Sequence, residues 1–282
     1  MKYTVIGTGI MGAPIATRLT EKGLDVTAWN RNPQAQSRLG DKVAFSTNLV
    51  KTIKEADVLI FILSNAKATA KIIFALPHGL LKGKTIIQMA TIAPQESREL
   101  LAKAEELEME YLEAPVLGSV PEALDGSLQL MVGASDEQFE RFGDLFSALG
   151  KDPLHVGIVG KAAALKLAMN QLIASLTTSF ALSLGFVQRE GIKVDQFMQV
   201  LRNSALYAPT FDKKLDKMLS GDYSNPNFPL KHLAKDVKLF IRAAGNMQTS
   251  MLKGVFRTLL TGIEEGHQDK DYSVLYESID QD

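Results

Sequence analysis

The stretch TVIGTGIMG, residues 4–12, places three glycines directly after a short run of strand-forming residues. In this G-x-G-x-x-G spacing Gly7 allows a tight turn, Gly9 lets the backbone approach a pyrophosphate, and Gly12 lets the next helix pack closely on the strand. The N–H groups and positive dipole end of that helix attract an anion. Because the turn follows a strand and opens a helix, it predicts a dinucleotide site formed by Gly7, Gly9, Ile10, Met11 and Gly12.

The rest of the first half alternates strand and helix patterns. Strands are expected at Tyr3–Ile6, Val26–Trp29, Val58–Leu63, Thr85–Met89, Tyr111–Ala114 and Leu128–Val132, and helices at Met11–Glu21, Asn48–Ala56, Pro94–Leu107 and Asp136–Leu149. This alternation predicts a mainly parallel sheet, and Leu63 at a strand end is assigned to the cofactor site. Later segments are helical, at 161–190, 195–203, 209–219, 230–245 and 248–266. The fold class is therefore α/β, with a Rossmann dinucleotide-binding domain over 1–160 and an all-α domain over 161–282 that begins with a long helix.

The composition indicates which classes of partner the protein does not bind and which compartment suits it. The net charge is −1 with acids and bases scattered along the chain, which argues against nucleic-acid binding and against an anionic membrane surface. The absence of cysteine excludes disulfides and thiolate chemistry, and a reducing compartment, the cytoplasm, is expected. No signal peptide is expected, and the dispersed histidines predict no catalytic metal. Residues 167–188 are uncharged and long enough to span a bilayer, but polar residues all round the helix favour a buried soluble helix.

The end of the second predicted strand, AWNRNP, bears on the choice of cofactor. NAD-binding sites usually have Asp or Glu there to accept a hydrogen bond from the ribose 2′-hydroxyl. This chain has Asn30 followed by Arg31, and a guanidinium pairs bidentately with a 2′-phosphate. The pair therefore predicts NADP, with NADPH preferred over NADH. The alternative is that Arg31 is only a solvated charge at a strand end.

Four separated motifs together resemble the β-hydroxyacid dehydrogenase family, in particular its 3-hydroxyisobutyrate dehydrogenase and glyoxylate/succinic semialdehyde reductase branches. They are GTGIMGAPIATRL with NRN, EAPVLGSVPEALDGSLQLMVGA at 113–134, GKAAALKLAMN at 160–170, and FPLKHLAKD at 228–236. The resemblance implies a Rossmann domain, a long interdomain helix and a helical domain for substrate binding and dimerisation. A homo-oligomer, dimer or tetramer, is the expected assembly.

The resemblance also implies roles for individual residues. Lys166 would be the catalytic lysine with Asn170 as its neighbour, and Thr91 would lie near the nicotinamide. Gly118 and Ser119 would bind the substrate carboxylate, whereas Leu117 stands where the family usually has Ser and leaves the substrate open. Phe228 and Asp236 would close the site. Lys231 or Lys235 could reach an anionic substrate or the cofactor phosphate, although a solvated helix face explains at least one of them.

Lys166 and Asn170 are four residues apart and so share one face of the predicted helix. Lysines often extend along apolar surface without any further role, and by itself the spacing favours that reading. With the cofactor motif beside it, a buried ammonium is suited to meet the negative charge that forms on a carbonyl oxygen, and burial lowers a lysine pKa toward acid–base chemistry.

The sequence thus predicts an NADPH-dependent oxidoreductase that reduces a small aldehyde or keto acid, of the succinic semialdehyde or glyoxylate type, to the hydroxy acid. The reaction would be reversible as a β-hydroxyacid dehydrogenase. Two alternatives stay open: an NADPH-dependent imine reductase, since related enzymes share this architecture, and a non-catalytic NADPH-binding protein. Lys166 favours a carbonyl over an imine, because imine reductases generally have Asp or Tyr at that place.

Overall fold

The structure, a computed structural model, describes residues 1–279 and divides into two compact units, Met1–Lys166 and a second that begins at Leu167. The strands of the first unit are β1 (Lys2–Ile6), β2 (Asp25–Trp29), β3 (Ala44–Ser46), β4 (Val58–Phe61), β5 (Thr85–Gln88), β6 (Glu110–Glu113), β7 (Val116–Leu117), β8 (Gln129–Gly133) and β9 (Leu154–Gly157). Its complete helices are α1 (Gly12–Glu21), α2 (Leu49–Glu55), α3 (Ala66–Phe74), α4 (His78–Leu81), α5 (Pro94–Glu106), α6 (Val120–Asp125), α7 (Asp136–Arg141) and α8 (Gly143–Leu149).

The strands form one sheet in the order β3-β2-β1-β4-β5-β6-β8-β7, with β9 paired to β8. From β3 to β6 every pairing is parallel, and the order reverses between β1 and β4, which is the switch point where such sheets bind dinucleotides. The predicted α/β architecture is therefore confirmed. Beyond β6 the sheet changes, since β6–β8 and β7–β8 are antiparallel and β8–β9 is parallel.

The register brings the carboxyl ends of the parallel strands to one edge. Ile6 is the partner of both Trp29 and Phe61, Phe61 pairs with Gln88, and Gln88 pairs with Glu113. The segments that follow these five residues include most of the predicted cofactor and substrate residues of the first half. The fold therefore collects at one edge of the sheet groups that are more than a hundred residues apart in sequence.

Both faces of this sheet are buried, which explains why its strands read as continuous apolar runs. Val5 and Ile60 point into one buried cluster, which includes Ile15, whereas Ile6 and Phe61 point into a second cluster on the other face. Consecutive side chains of a strand alternate between faces, so neither cluster could form without helices on both sides.

Some elements were missed or misdrawn in the sequence-based prediction. The strands β3 and β7 are only three and two residues long, too short to show a pattern, and β9, α3, α4 and α6 were also missed. The helix predicted at Asp136–Leu149 is broken at Phe142, which ends α7 and precedes α8. Local hydrophobic periodicity does not show such a break.

The second unit is helical. Its elements are α9 (Lys161–Arg189), which begins in the first unit, α10 (Val194–Arg202), α11 (Pro209–Ser220), α12 (Leu230–Ala243), α13 (Ser250–Glu264) and α14 (Leu275–Ile279). The predicted domain boundary at 160 coincides with the start of α9, whereas the compact units divide after Lys166, within the helix. α9 is long and apolar enough in composition to cross a membrane, a test that core helices of soluble proteins also pass.

Candidate active site

The glycine turn after β1 shows three distinct backbone requirements. Gly7 has φ +100°, and a Cβ there would lie 2.5 Å from the Ile62 carbonyl oxygen. A Cβ on Gly12 would overlap the Gly7 carbonyl oxygen, so only glycine lets α1 start this close to β1. At Gly9 a Cβ would meet no atom of the described chain within 4 Å, which leaves that side of the turn open. An open backbone at the start of α1 is what a pyrophosphate group needs, so the turn fits a dinucleotide.

Four more residues predicted to bind the cofactor follow strands β1, β4 and β5. Ile10 is 36% exposed, Met11 is half-buried directly before α1, and Leu63 is half-buried just after β4. Thr91, half-buried, follows β5 at the same sheet edge.

Asn30 and Arg31 follow β2 directly. Asn30 connects two segments, because its Nδ2 donates to Thr8 Oγ1 at 2.9 Å and its Oδ1 accepts from the Asn32 amide at 3.0 Å. Arg31 is exposed, and no side chain in the described part of the chain pairs with its guanidinium. Asn30 therefore shapes the strand end through its side chain, and Arg31 projects from that end with its donors available.

The segment after β7 holds the predicted substrate residues Leu117, Gly118 and Ser119. Gly118 has φ +137°, and a Cβ there would lie 2.7 Å from a methyl carbon of Leu128. The Ser119 hydroxyl and amide both donate to Glu122 Oε2, at 2.5 and 2.8 Å, and thereby cap α6. The hydroxyl that was predicted to bind a substrate carboxylate is thus already bonded to a carboxylate.

Lys166 and Asn170 lie on α9 as predicted, and both are buried, with 8% and 1% of their surface exposed. Their spacing of four residues puts both on one face of the helix. Asn170 Nδ2 donates to Asp236 Oδ2 at 2.7 Å, and Oδ1 of Asn170 has no hydrogen-bond partner among residues 1–279. A buried acceptor without a partner is costly, and it suits a ligand that donates a hydrogen bond.

The remaining predicted residues lie on or next to α12. Asp236 is 2% exposed and pairs with Lys235, whose Nζ lies 2.9 Å from Asp236 Oδ1. Lys231 pairs with Asp269 at the surface, which agrees with a solvated helix face for that lysine. Phe228, half-buried, lies edge-on against the Tyr272 ring, with centroids 5.8 Å apart.

Two family models together cover nearly the whole chain. Residues 2–160 match the NAD binding domain of 6-phosphogluconate dehydrogenase, and residues 160–279 match the domain described as NAD-binding of NADP-dependent 3-hydroxyisobutyrate dehydrogenase. The chain belongs to the 3-hydroxyisobutyrate dehydrogenase-like family. It is therefore an oxidoreductase of the CH–OH class that uses a nicotinamide dinucleotide cofactor.

Relatives in this family share about a quarter of their residues with the chain. Glyoxylate/succinic semialdehyde reductase 2, chloroplastic, from Arabidopsis thaliana is 26% identical over 97% of this chain and 78% of its own length. The 2-hydroxy-3-oxopropionate reductase of Escherichia coli K12 is 29% identical over 99% of this chain and 97% of its own. The solved structure of Psf3 in complex with NADP+ and 2-OPP covers 98% of this chain and 99% of its own, with 23% identity and a TM-score of 0.87.

One buried group of this 3-hydroxyisobutyrate dehydrogenase-like chain was missed in the sequence-based prediction. Glu113, the last residue of β6, is 1% exposed, and its Oε1 accepts from the backbone amides of Gly160, Ala162 and Ala163. Its Oε2 accepts from Ser97 Oγ at 2.5 Å. The sequence contained a signal for this group, because Glu113 lies inside an apolar strand pattern. A glutamate is almost never buried unless it is paired, so its position predicts polar partners.

Proposed function

We propose that the chain is an NADPH-dependent reductase of a small aldehyde or keto acid, reversible as a β-hydroxyacid dehydrogenase. The observation that carries the proposal is the buried Lys166, one helical turn from an Asn170 whose Oδ1 lacks a partner among the described residues. A buried cation and a buried acceptor on one helical face suit a carbonyl that becomes a hydroxyl.

The residues of the chain would divide the reaction between them. NADPH supplies the hydride when it is bound. As the carbonyl carbon gains that hydride, the C=O electron pair moves to oxygen, and the Lys166 ammonium stabilises the charge and gives one proton to that oxygen. Asn170 Oδ1 can then accept a hydrogen bond from the new hydroxyl, while Asp236 keeps the amide in that orientation through Nδ2.

The preference for NADPH rests on Arg31. Its guanidinium is exposed at the end of β2, where a carboxylate would be expected in an NAD site, and it can pair bidentately with a 2′-phosphate. Gly9, on the turn after β1, leaves the backbone open for the pyrophosphate of the same cofactor. We therefore propose NADP as the cofactor, which enters the proposed reaction in its reduced form, NADPH.

The substrate class is proposed from the relatives and from one loop. Reductases of glyoxylate and succinic semialdehyde and of 2-hydroxy-3-oxopropionate are among the relatives, so small aldehydes with an acidic group are the first candidates. In this chain Leu117 offers an apolar side chain and the Ser119 hydroxyl is bonded to Glu122. These features favour a substrate that is longer or less polar than glyoxylate.

A panel assay tests the proposed function. The chain should oxidise NADPH with succinic semialdehyde at a kcat/KM at least about tenfold higher than with NADH, which corresponds to one charge-assisted hydrogen bond. The panel includes glyoxylate, longer aldehydes, hydroxy acids with NADP+, and a cyclic imine. Turnover of the imine alone would contradict carbonyl reduction, and no turnover of any compound, with cofactor still bound, would favour a non-catalytic protein.

We propose in addition that the chain forms a homo-oligomer through α9. Four large apolar residues on this helix are exposed: Leu172 at 44%, Leu176 at 38%, Leu182 at 61% and Phe186 at 62%. At 3.6 residues per turn they fall within about a third of the helix circumference, which also holds the exposed Ser179 and Ser183, and an apolar stripe of this kind is typical of a subunit interface. The cytoplasm stays the proposed location.

Light scattering of the double variant Leu182→Glu, Phe186→Glu tests this assembly. Two charges in the stripe would have to be desolvated on association, so the variant is expected to elute as a monomer where the parent chain is a dimer or larger. Phe74→Glu, a change of another exposed phenylalanine (57%) on α3, is the matched control and should leave the mass unchanged. A monomeric parent chain, or an unchanged double variant, would contradict the interface.

A further inference from the structure

The buried carboxylate of Glu113 is bonded to the first turn of the helix that carries Lys166. Its Oε1 accepts three backbone N–H bonds, from Gly160 at 2.8 Å, Ala162 at 2.8 Å and Ala163 at 3.0 Å. The first amides of a helix have no partner within the helix, and here a side chain from the sheet takes the place of a local N-cap. The negative charge also faces the positive end of the helix dipole.

The residues around Glu113 leave room for its carboxylate and bond to it. Its partner on β8 is Gly133, where a Cβ would lie 2.5 Å from Oε1 of the glutamate, so only glycine leaves room for the carboxylate. Oε2 accepts from Ser97 Oγ, which in turn lies 2.8 Å from the Tyr111 hydroxyl. Burial raises the pKa of Tyr111 well above its usual range, and the nearby Glu113 charge raises it further, so this hydroxyl stays neutral.

The attachment lies close to the reacting group in sequence and in space. Lys166 follows Ala163 by three residues, a rise of about 4.5 Å along the helix. Glu113 ends β6 at the sheet edge where Gln88 ends β5, the same edge that carries the glycine turn. One carboxylate therefore links the cofactor edge of the sheet to the first turns of α9.

We propose that Glu113 is a positioning residue for the reaction, whose carboxylate sets the axial position and rotation of the first turns of α9 and thereby the place of Lys166 Nζ. This inference rests on the proposed role of Lys166 as proton donor. Neither Ser97 nor Tyr111 bonds to α9, so the positioning belongs to Oε1 of Glu113 alone among these groups.

Two variants of Glu113 separate position from charge. Glu113→Asp keeps the charge but withdraws it by one methylene, so the three amide bonds cannot all form without a shift of the helix. Its kcat is expected to fall by about 10- to 100-fold, as for a misplacement of about 1 Å, with the Kd for NADPH unchanged. Glu113→Gln removes the charge but keeps a side chain of the same length with an acceptor oxygen at its end. Its kcat should therefore lie within about fivefold of that of the parent chain. Tyr111→Phe, which removes a hydroxyl from the same network, should leave kcat unchanged.

The decisive measurement is a double-mutant cycle with Lys166→Met, made on the full chain saturated with NADPH and well below the melting temperature. If Glu113 acts through Lys166, adding Glu113→Asp to Lys166→Met should lower kcat no further. A multiplicative further loss, a fully active Glu113→Asp, or a Glu113→Gln as slow as Glu113→Asp would each overturn the positioning role. Full activity of Lys166→Met would instead overturn the proposed role of Lys166 as proton donor, on which this inference rests. Should Glu113→Asp not fold, Glu113→Gln still decides, because a large loss of kcat in that folded variant contradicts the proposal.

Discussion

Replacing Lys166 with methionine is expected to lower kcat by about 100- to 1,000-fold, the usual cost of losing one prearranged donor to a developing oxyanion. Methionine nearly matches the lysine in length and suits a position with 8% exposure, so the packing of α9 should survive. The Kd for NADPH, followed by fluorescence, should stay close to that of the parent chain. Steady-state kcat with succinic semialdehyde is the measured quantity.

Lys161→Met provides the matched control, since this lysine is the exposed first residue of the same helix. It should retain the activity of the parent chain, which would show that the loss depends on the place of the charge and not on the net charge. Activity that survives in Lys166→Met, with the variant folded and cofactor bound, would remove Lys166 as the proton donor. A weaker binding of NADPH with unchanged kcat would give the lysine a role in cofactor binding instead.

Reversing the charge at Arg31 should change the choice of cofactor. Arg31→Asp is expected to lower kcat/KM for NADPH by about 10- to 100-fold, because a charge-assisted pair contributes about 1.5–3 kcal/mol and the new carboxylate repels a 2′-phosphate. The same carboxylate can accept from the 2′-hydroxyl of NADH, so the ratio of the two kcat/KM values should shift by more than the NADPH loss alone. Initial rates with both cofactors at one ionic strength give that ratio.

Arg38→Asp makes the same charge change seven residues later, at another exposed arginine. Its effect on the cofactor ratio should be small, and raising the salt concentration should abolish it, since exposed charges beyond about 10 Å are screened. A ratio that stays the same in Arg31→Asp, or moves equally in Arg38→Asp, would show that Arg31 does not read the 2′-phosphate.

Features encoded in adjacent residues could be predicted well. The glycine turn, the alternation of strands and helices, and the helix with Lys166 and Asn170 on one face each depend on backbone conformation and periodicity within a short window. Parallel strands then place their carboxyl ends at one edge, so the relation between Gly7, Arg31 and Thr91 followed from topology. The predicted elements failed where the window was too short, as at β3 and β7, or where a helix was interrupted, as at Phe142.

Hydrogen-bond partners between distant segments could not be predicted. The sequence placed Asn170 on one helical face with Lys166, whereas only the structure shows that its Nδ2 donates to Asp236, sixty-six residues later, and that its Oδ1 lacks a partner within the described chain. For Asn170, residue type and position were consistent with binding, whereas the direction of the amide depends on its neighbour. Ser119 is a different case, because the partner of its hydroxyl, Glu122, lies only three residues later. This S-x-x-E spacing is that of a capping box and is visible in the sequence, and the binding of a substrate carboxylate by Ser119 stays a prediction.

The amino-acid sequence by itself determined the fold class, the cofactor turn and the chemical identity of the groups available for reduction, because glycine conformation and hydrophobic periodicity act locally. Only the tertiary structure decided which of those groups already have partners and that Glu113 is bonded to the start of α9. The reason is that a buried polar group must be paired, and its partner is chosen by how separate segments pack rather than by the residues beside it in the chain.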